Sequence, residues 1–240
     1  MLIESSKILA KAVENGKICR CGNVYFLPGY EELPHEKLRQ SEILKDSNTT
    51  TCGEYSGIFI KQYNRKGFWK SLKRFFGYPR AYKCLAVSLL LEEMPLLTPK
   101  VLHASRYYLV TEMLGDSTYF IVWEPEKVSD FLPFLARLHE GGIAHGDLSL
   151  RNIYFDRDSG KYGLIDFDGV IIKRTPLSRK ERSWELARVL SSCYQLQELY
   201  GKKVTLAGTV EEYLPSYEEA SGMTFSRNDI LKQAKRFLKH

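Results

Sequence analysis

The chain has 240 residues, 44% of them hydrophobic and 27% charged, with a formal net charge of +6. That is ordinary for a globular protein and leaves room for one large domain or two small lobes with a sizeable core. No run approaches the roughly 18 apolar residues of a membrane-spanning helix. The mild positive excess suits an anionic partner without choosing among nucleotide, phosphorylated sugar, nucleic acid and acidic membrane.

Cys19, Cys21, Cys52, Cys84 and Cys193 are scattered. One C-x-C without a second pair is a poor zinc signature, and an odd count without a framework fits a reducing cytosol. The Met1–Gly16 stretch carries charges among its apolar positions and lacks a signal-peptide core. Ile3, Ile8, Leu9, Ala12 and Val13 suit one face of a short helix, and Val24–Leu27 a strand ending at Pro28-Gly29. An antiparallel meander follows, with Glu42–Lys45 and Thr49–Cys52 flanking the turn residues Asp46-Ser47-Asn48, then a third strand over Gly57–Tyr63. Lys61 falls late in that apolar strand, where a fixed positive charge would serve phosphate oxygens.

The stretch from Asn64 to Arg80 is basic and aromatic. Phe68, Trp69, Leu72, Phe75 and Phe76 fall on one side at helical spacing, and Lys70, Lys73 and Arg74 on the other. Such a helix suits an anionic membrane interface. It equally suits an aromatic core under a solvated basic face, which is the simpler reading. Arg80–Leu91 reads as a second helix, and Val101-Leu102 and Tyr107–Thr111 as two strands. Ser129–Glu140 is amphipathic, buries Phe131, Leu132, Leu135 and Leu138, and ends at Gly141-Gly142. Trp184, Leu186, Ala187, Val189 and Leu190 indicate a further helix. A last helix lies within Thr224–His240, capped by Ser226, and its lysines form a solvated face, so no nucleic acid is expected.

The chemistry sits between Ile143 and Gly169. Short apolar runs at Ile153–Phe155 and Tyr162–Ile165 flank the turn Asp156–Gly160 and read as a β-hairpin. A hairpin brings its open ends together, so Asn152 before it and Asp166 after it should meet, with Asp147 one loop away. Oxygen ligands of this kind suit Mg²⁺, and a carboxylate set apart from the metal can accept a hydroxyl proton. The spacing is that of a protein-kinase-like phosphoryl-transfer site, H-x-D-x-x-x-x-N followed by D-F-x.

Beyond that spacing, the chain resembles the lipopolysaccharide core (Kdo/heptose) kinase family. The resemblance rests on F-I-K-Q-Y-N-R-K-G-F-W (Phe59–Trp69), P-R-A-Y (Pro79–Tyr82), H-G-D-L-S-L-R-N (His145–Asn152), L-I-D-F-D-G (Leu164–Gly169) and P-L-S-R-K-E-R (Pro176–Arg182). It covers roughly Ile43 to Ser192. It implies an α+β, protein-kinase-like two-lobe fold, with a small antiparallel-sheet N-lobe over 1–113 and a mainly helical C-lobe over 114–240. It also implies ATP and Mg²⁺ as cofactors and a lipopolysaccharide core sugar or other glycolipid as acceptor. The protein would be cytoplasmic, peripheral on the inner face of the cytoplasmic membrane.

The same resemblance assigns roles to residues. Asp147 would be the base. Asn152 and Asp166, with Asp168 assisting, would hold the metal. Lys61 would contact the α/β-phosphates, and Arg151 would offset charge on the transferring group. Backbone at Glu112 and Leu114 would hold adenine, by position in the hinge. His139 and His145 take structural roles, His145 as a brace of the loop.

Departures from the protein-kinase pattern narrow the reading. Ser47–Thr51 stands where a glycine-rich loop is expected, so glycine's close approach to phosphate is lost. Gly146 replaces the arginine that reads activation-loop phosphorylation. No A-P-E motif follows, and the short run from Asp168 to Trp184 leaves little to dock a peptide, which favours a small or carbohydrate acceptor. No glutamate lies mid-helix in Arg80–Leu91 to pair with Lys61, and Glu92 and Glu93 are late candidates. Two other readings stand beside the kinase: a small atypical protein kinase or ATPase of the tRNA-modification type, and a pseudokinase that only binds.

Overall fold

Antiparallel pairing organises the first half of the chain, and helix packing the second. The structure, a computed structural model, describes residues 2–32, 34–64, 78–94, 96–124 and 127–238. The chain divides into two compact units, one of residues 1–93 and 98–115, the other of 94–97 and 116–240.

The first unit opens with helix α1 (Leu2–Glu14). Strands β1 (Cys19–Cys21) and β2 (Val24–Phe26), helix α2 (His35–Gln40), and strands β3 (Glu42–Asp46), β4 (Thr50–Tyr55) and β5 (Ile58–Tyr63) follow. Helix α3 (Arg80–Leu91) precedes β6 (Val101–Ala104) and β7 (Tyr108–Glu112). The strands form a seven-stranded antiparallel sheet in the order β1-β2-β6-β7-β5-β4-β3. A two-residue turn, Ser56-Gly57, joins β4 to β5 with both residues at positive φ (48° and 79°), which matches the twist of paired strands. Leu38, Ile60, Leu102 and Val110 form a core on the sheet, with Leu27, Tyr30, Tyr55, Ile58 and Tyr108 packed around it. Helix α3 buries Ala81, Cys84, Leu85, Val87 and Leu91 and packs on α1 and β6. It is pinned by the Tyr82 hydroxyl, which donates to the Asn23 carbonyl, and by edge-on contact of Tyr82 with Tyr25 at 5.1 Å.

The basic aromatic helix expected within 64–80 lies almost wholly outside the described residues, as do the last two residues of the expected C-terminal helix. Glu92 forms an ion pair with Lys17 at 3.3 Å. The turn at Ser47 is closed on itself: the Thr49 and Thr50 amides donate to Ser47 Oγ (3.3 and 3.1 Å), and the Ser47 amide donates to the Thr50 carbonyl (2.9 Å). These amides are spent inside the turn and are not presented to a phosphate.

The second unit contains β8 (Thr118–Phe120), α4 (Val128–Glu140), β9 (Ile143–Ala144), β10 (Ile153–Asp156), β11 (Lys161–Leu164) and β12 (Ile171–Ile172). Helices α5 (Arg179–Leu199), α6 (Leu206–Ser221) and α7 (Arg227–Phe237) complete it. Strands β11, β10 and β8 form one small sheet, and β12 and β9 pair as another. Helix α4 packs on α6, and α5 packs on both α6 and α7. The helices start where capping chemistry places them. Ser178 and Glu181 form a reciprocal capping box on α5, and Ser226 accepts from the Asp229 amide on α7. Each cap contributes about 1 kcal/mol.

Helix α6 has no counterpart in the sequence reading, because Gly208 and Pro215 punctuate it as a turn would. It forms because Leu206, Thr209, Val210, Tyr213, Leu214 and Tyr217 recur at helical spacing and are all buried, and Thr205 caps it. No helix among the described residues is long and apolar enough to cross a membrane.

Candidate active site

The site is built by one closure. The chain leaves β9, runs through residues 145–152, makes the β10–β11 hairpin and returns through 165–169 to β12, which pairs back on β9 (Ile172 with Ile143, Ile171 with Ala144). The two arms therefore lie side by side. Gly146 (φ +82°) meets Gly169 so closely that a Cβ on Gly146 would stand 2.1 Å from the Gly169 carbonyl oxygen. Only glycine supplies both that φ and that approach. Gly146→Ala should lose at least about 2 kcal/mol of folding stability, from backbone strain together with the clash. Urea denaturation monitored by circular dichroism measures it, and an unshifted midpoint would show that the arms do not pack this way.

Hydrogen bonds fix the two arms further. His145, fully buried, presents Nε2 to the Ile165 carbonyl at 2.8 Å, while its Nδ1 accepts from the Asp147 amide at 3.3 Å. These partners set the tautomer: the proton is on Nε2, and the ring braces one arm against the other. The Ile165 amide donates to the Asn152 carbonyl (3.0 Å), and Asn152 Nδ2 donates to the Asp147 carbonyl (2.9 Å). Asp147, Asn152 and the residue before Asp166 are thus tied within one hydrogen-bonded set. Asp166 itself takes a left-handed backbone (φ 64°, ψ 56°), costly for a non-glycine residue by about 1–2 kcal/mol. Phe167, buried, stacks obliquely on His145 with ring centroids 4.9 Å apart and holds that turn. Asp168 lies in the single 3-10 turn that follows, and Arg151 is exposed in the turn before β10.

The donor chemistry fits a hard cation. Asn152 gives an amide hydrogen to the Asp147 carbonyl, and its Oδ1 is the atom a metal would meet. Asp166 and Asp168 would add carboxylates from the turn that follows the hairpin. Among the described residues no three His, Cys, Asp or Glu side chains form a metal cage. Mg²⁺ seldom uses one: it is held by one or two carboxylates together with waters and substrate phosphates.

Two residues at the site escape the sequence reading. Glu185, 2% exposed on α5, accepts from the His145 amide at 2.8 Å and the Gly146 amide at 2.7 Å, one with each carboxylate oxygen. It also meets His139 Nε2 at 3.4 Å, and His139 Nδ1 lies 2.7 Å from the Tyr217 hydroxyl. Burial alone would raise the Glu185 carboxyl. The hydrogen bond and charge interaction with His139 and the hydrogen bond from the Gly146 amide outweigh it and leave it below its ordinary value. Burial likewise lowers His139, against the hydrogen bond and charge of Glu185. One turn further along α5, Arg188 forms an ion pair with the Asp147 carboxylate, and its guanidinium lies 5.2 Å from the centroid of the Phe237 ring.

In the first unit, Lys61 sits in a central strand, paired with Cys52 on one side and Leu109 on the other, and is 9% exposed. Its Nζ lies 5.5 Å from the Tyr63 ring centroid. At the end of β7 the Glu112 amide donates to Lys100 and the Met113 amide to Gly57 (3.0 Å each). No hydrogen bond among the described residues engages the backbone of Leu114, which leaves both of its groups for solvent or a ligand.

A strand-rich unit with a buried lysine, and a helical unit whose loop and hairpin carry H-G-D-x-x-x-x-N and D-F-D, define a protein-kinase-like chain. A solved structure of WaaP in complex with acyl carrier protein has the same fold: TM-score 0.53 at 13% identity, over 91% of this chain and 95% of that one. Residues 128–206, from the start of α4 to the start of α6, match the model of the lipopolysaccharide kinase (Kdo/WaaP) family, and the family resemblance read from the sequence holds. A probable serine/threonine-protein kinase of Dictyostelium discoideum, fnkB, is 48% identical over 42 residues. That match spans 18% of this chain and only 8% of the slime-mould protein.

Proposed function

We propose that the chain is an ATP- and Mg²⁺-dependent phosphotransferase acting on a sugar hydroxyl of the lipopolysaccharide core. What supports it most is the hydrogen-bonded set that ties Asp147 to Asn152 and Ile165, inside the segment that matches the lipopolysaccharide kinase family.

In this reading Asp147 accepts the proton of the acceptor hydroxyl. The acceptor oxygen bonds to the γ-phosphorus, the bond from that phosphorus to the bridging oxygen breaks, and ADP leaves. Asn152, Asp166 and Asp168 hold the Mg²⁺, which when bound neutralises charge on the phosphates. Arg151 offsets charge on the transferring group, and Arg188 orients the Asp147 carboxylate. Transfer of this kind needs positioning and electrostatics more than covalent help, and the buried His145 and Glu185 supply the rigid frame. Residues 1–113 act as the nucleotide-covering lobe, with Lys61 on the α/β-phosphates and the backbone at Glu112 and Leu114 on adenine. Residues 114–240 act as the catalytic lobe. The basic aromatic stretch 64–80 would rest on an anionic membrane surface, where such an acceptor is held.

Mass spectrometry of core oligosaccharide from cells with and without this chain tests the reading. One phosphate fewer on a core sugar in the deletion is expected. An unchanged core together with phosphorylated protein would replace it with the protein-kinase alternative.

A further inference from the structure

A groove of about 810 Å³ opens beside the catalytic loop, within the second unit, between the first turns of α5 and one face of α7. Its volume lies in the range of about 300–1,000 Å³ typical of small-molecule sites. Gly146 and Gly169 are part of its lining. Asp229, Lys232, Gln233 and Arg236 line it from α7 at positions i, i+3, i+4 and i+7, while Ile230 and Ala234 are buried on the other side of that helix.

The charges in the groove divide into spent and unspent. Lys173 is paired with Glu181 at 2.5 Å, and Glu181 also closes the α5 capping box. Glu185 faces the catalytic loop. No ion pair among the described residues engages Lys180, Lys232 or Arg236, all exposed, and Asp229 is the one remaining acid of the lining. The groove therefore carries a surplus of cations. On its wall Trp184 is 40% exposed and stands edge-on against Phe237 at 4.7 Å. Phe237 in turn lies under Arg188, which reaches Asp147.

We propose that this groove seats the acceptor, and that the acceptor it fits is an acidic saccharide. Trp184 offers an apolar surface to a sugar ring, held by Phe237. Lys180, Lys232 and Arg236 receive its carboxylate or phosphate groups. The Trp184–Phe237–Arg188 line runs from the bound sugar to the candidate base. This rests on the phosphotransferase reading above and adds to it where the acceptor sits and the residues that select it.

Calorimetric titration with tri-galacturonate, maltotriose and inorganic phosphate tests the proposal on wild-type protein, on Lys232→Glu/Arg236→Glu and on Trp184→Ala. The helix-face residues of the double variant are exposed, so the fold persists, and a thermal melt checks it. The acidic trisaccharide should bind wild-type, and roughly tenfold or more weakly in the charge-reversed protein. Trp184→Ala should weaken it too, and maltotriose and phosphate should bind poorly throughout. The acceptor KM should rise by a similar factor in the double variant, with the KM for ATP unchanged. Equal binding by wild-type and the charge-reversed protein would overturn the proposal. So would phosphate binding as tightly as the saccharide. Saccharide binding requires no turnover, so the two readings fail separately. Binding without transfer to any sugar removes the phosphotransferase and keeps the groove. Transfer with an acceptor KM indifferent to the substitutions removes the groove and keeps the phosphotransferase.

Discussion

Asp147→Asn should abolish phosphoryl transfer, lowering kcat by about 10²–10⁴-fold, the span that a positioned general base contributes. Nucleotide affinity should change little, because the hydrogen bonds that hold the loop do not use this side chain. The backbone of residue 147 gives its amide to His145 and its carbonyl to Asn152, and both survive the substitution. What is lost is the carboxylate and its ion pair with Arg188. The side chain is half-exposed, so the lost pair bears little on stability, about 0–1 kcal/mol. The signature is a collapsed kcat with an intact melting temperature and an intact shift of that temperature on adding Mg-ATP. Full activity in Asp147→Asn would falsify the assigned role. Loss of both activity and nucleotide binding would mean that the loop had moved.

How much of this was legible in the chain depends on the range of the interaction concerned. Helix α3, the β10–β11 hairpin and the Ser226 cap were legible because periodicity, a turn cluster and a capping residue lie within a few positions of what they control. The convergence of Asn152 with the Asp147 loop was legible for the same reason: a hairpin of known length closes on itself. Glu185 was not. Its place in α5 shows only a glutamate in a helix with charges on several faces, and its function is set by amides 40 and 39 residues away. Arg188 is similar, since nothing local distinguishes a guanidinium that reaches Asp147 from one in solvent. Helix α6 was hidden because Gly208 and Pro215 interrupt the spacing of Leu206, Val210 and Leu214 with residues that ordinarily mark turns. The pairing of β9 with β12 joins two dipeptides across the whole site, too short a pattern to see in advance.

Glu185 carries the largest expected stability effect, and its chemistry makes the two obvious substitutions differ. Alanine removes both acceptors and leaves the His145 and Gly146 amides buried without partners. It also leaves His139 facing an empty space. The expected loss is about 3–5 kcal/mol, enough to unfold a marginal domain. Glutamine keeps one oxygen and puts an amide donor where the other stood. One backbone N–H then faces N–H₂, and the expected loss is about 1–3 kcal/mol in a protein that still folds. In Glu185→Gln the loop that presents Asp147 loses one of its two anchors, so kcat should fall while the KM for ATP holds.

The pH dependence separates charge from shape. The folded carboxyl lies below its unfolded value, so its stabilisation is present above the unfolded pKa and is lost as pH falls through the folded one. The gap in unfolding free energy between wild-type and Glu185→Gln should therefore be widest near neutrality and should narrow below about pH 4, the range in which an unfolded glutamate titrates. Urea titrations of both proteins from pH 7 to about pH 3 would measure it. A gap that stays constant across that range would show that Glu185 titrates alike in the folded and unfolded chain, and a gap that widens as pH falls would show that it is held in its neutral form.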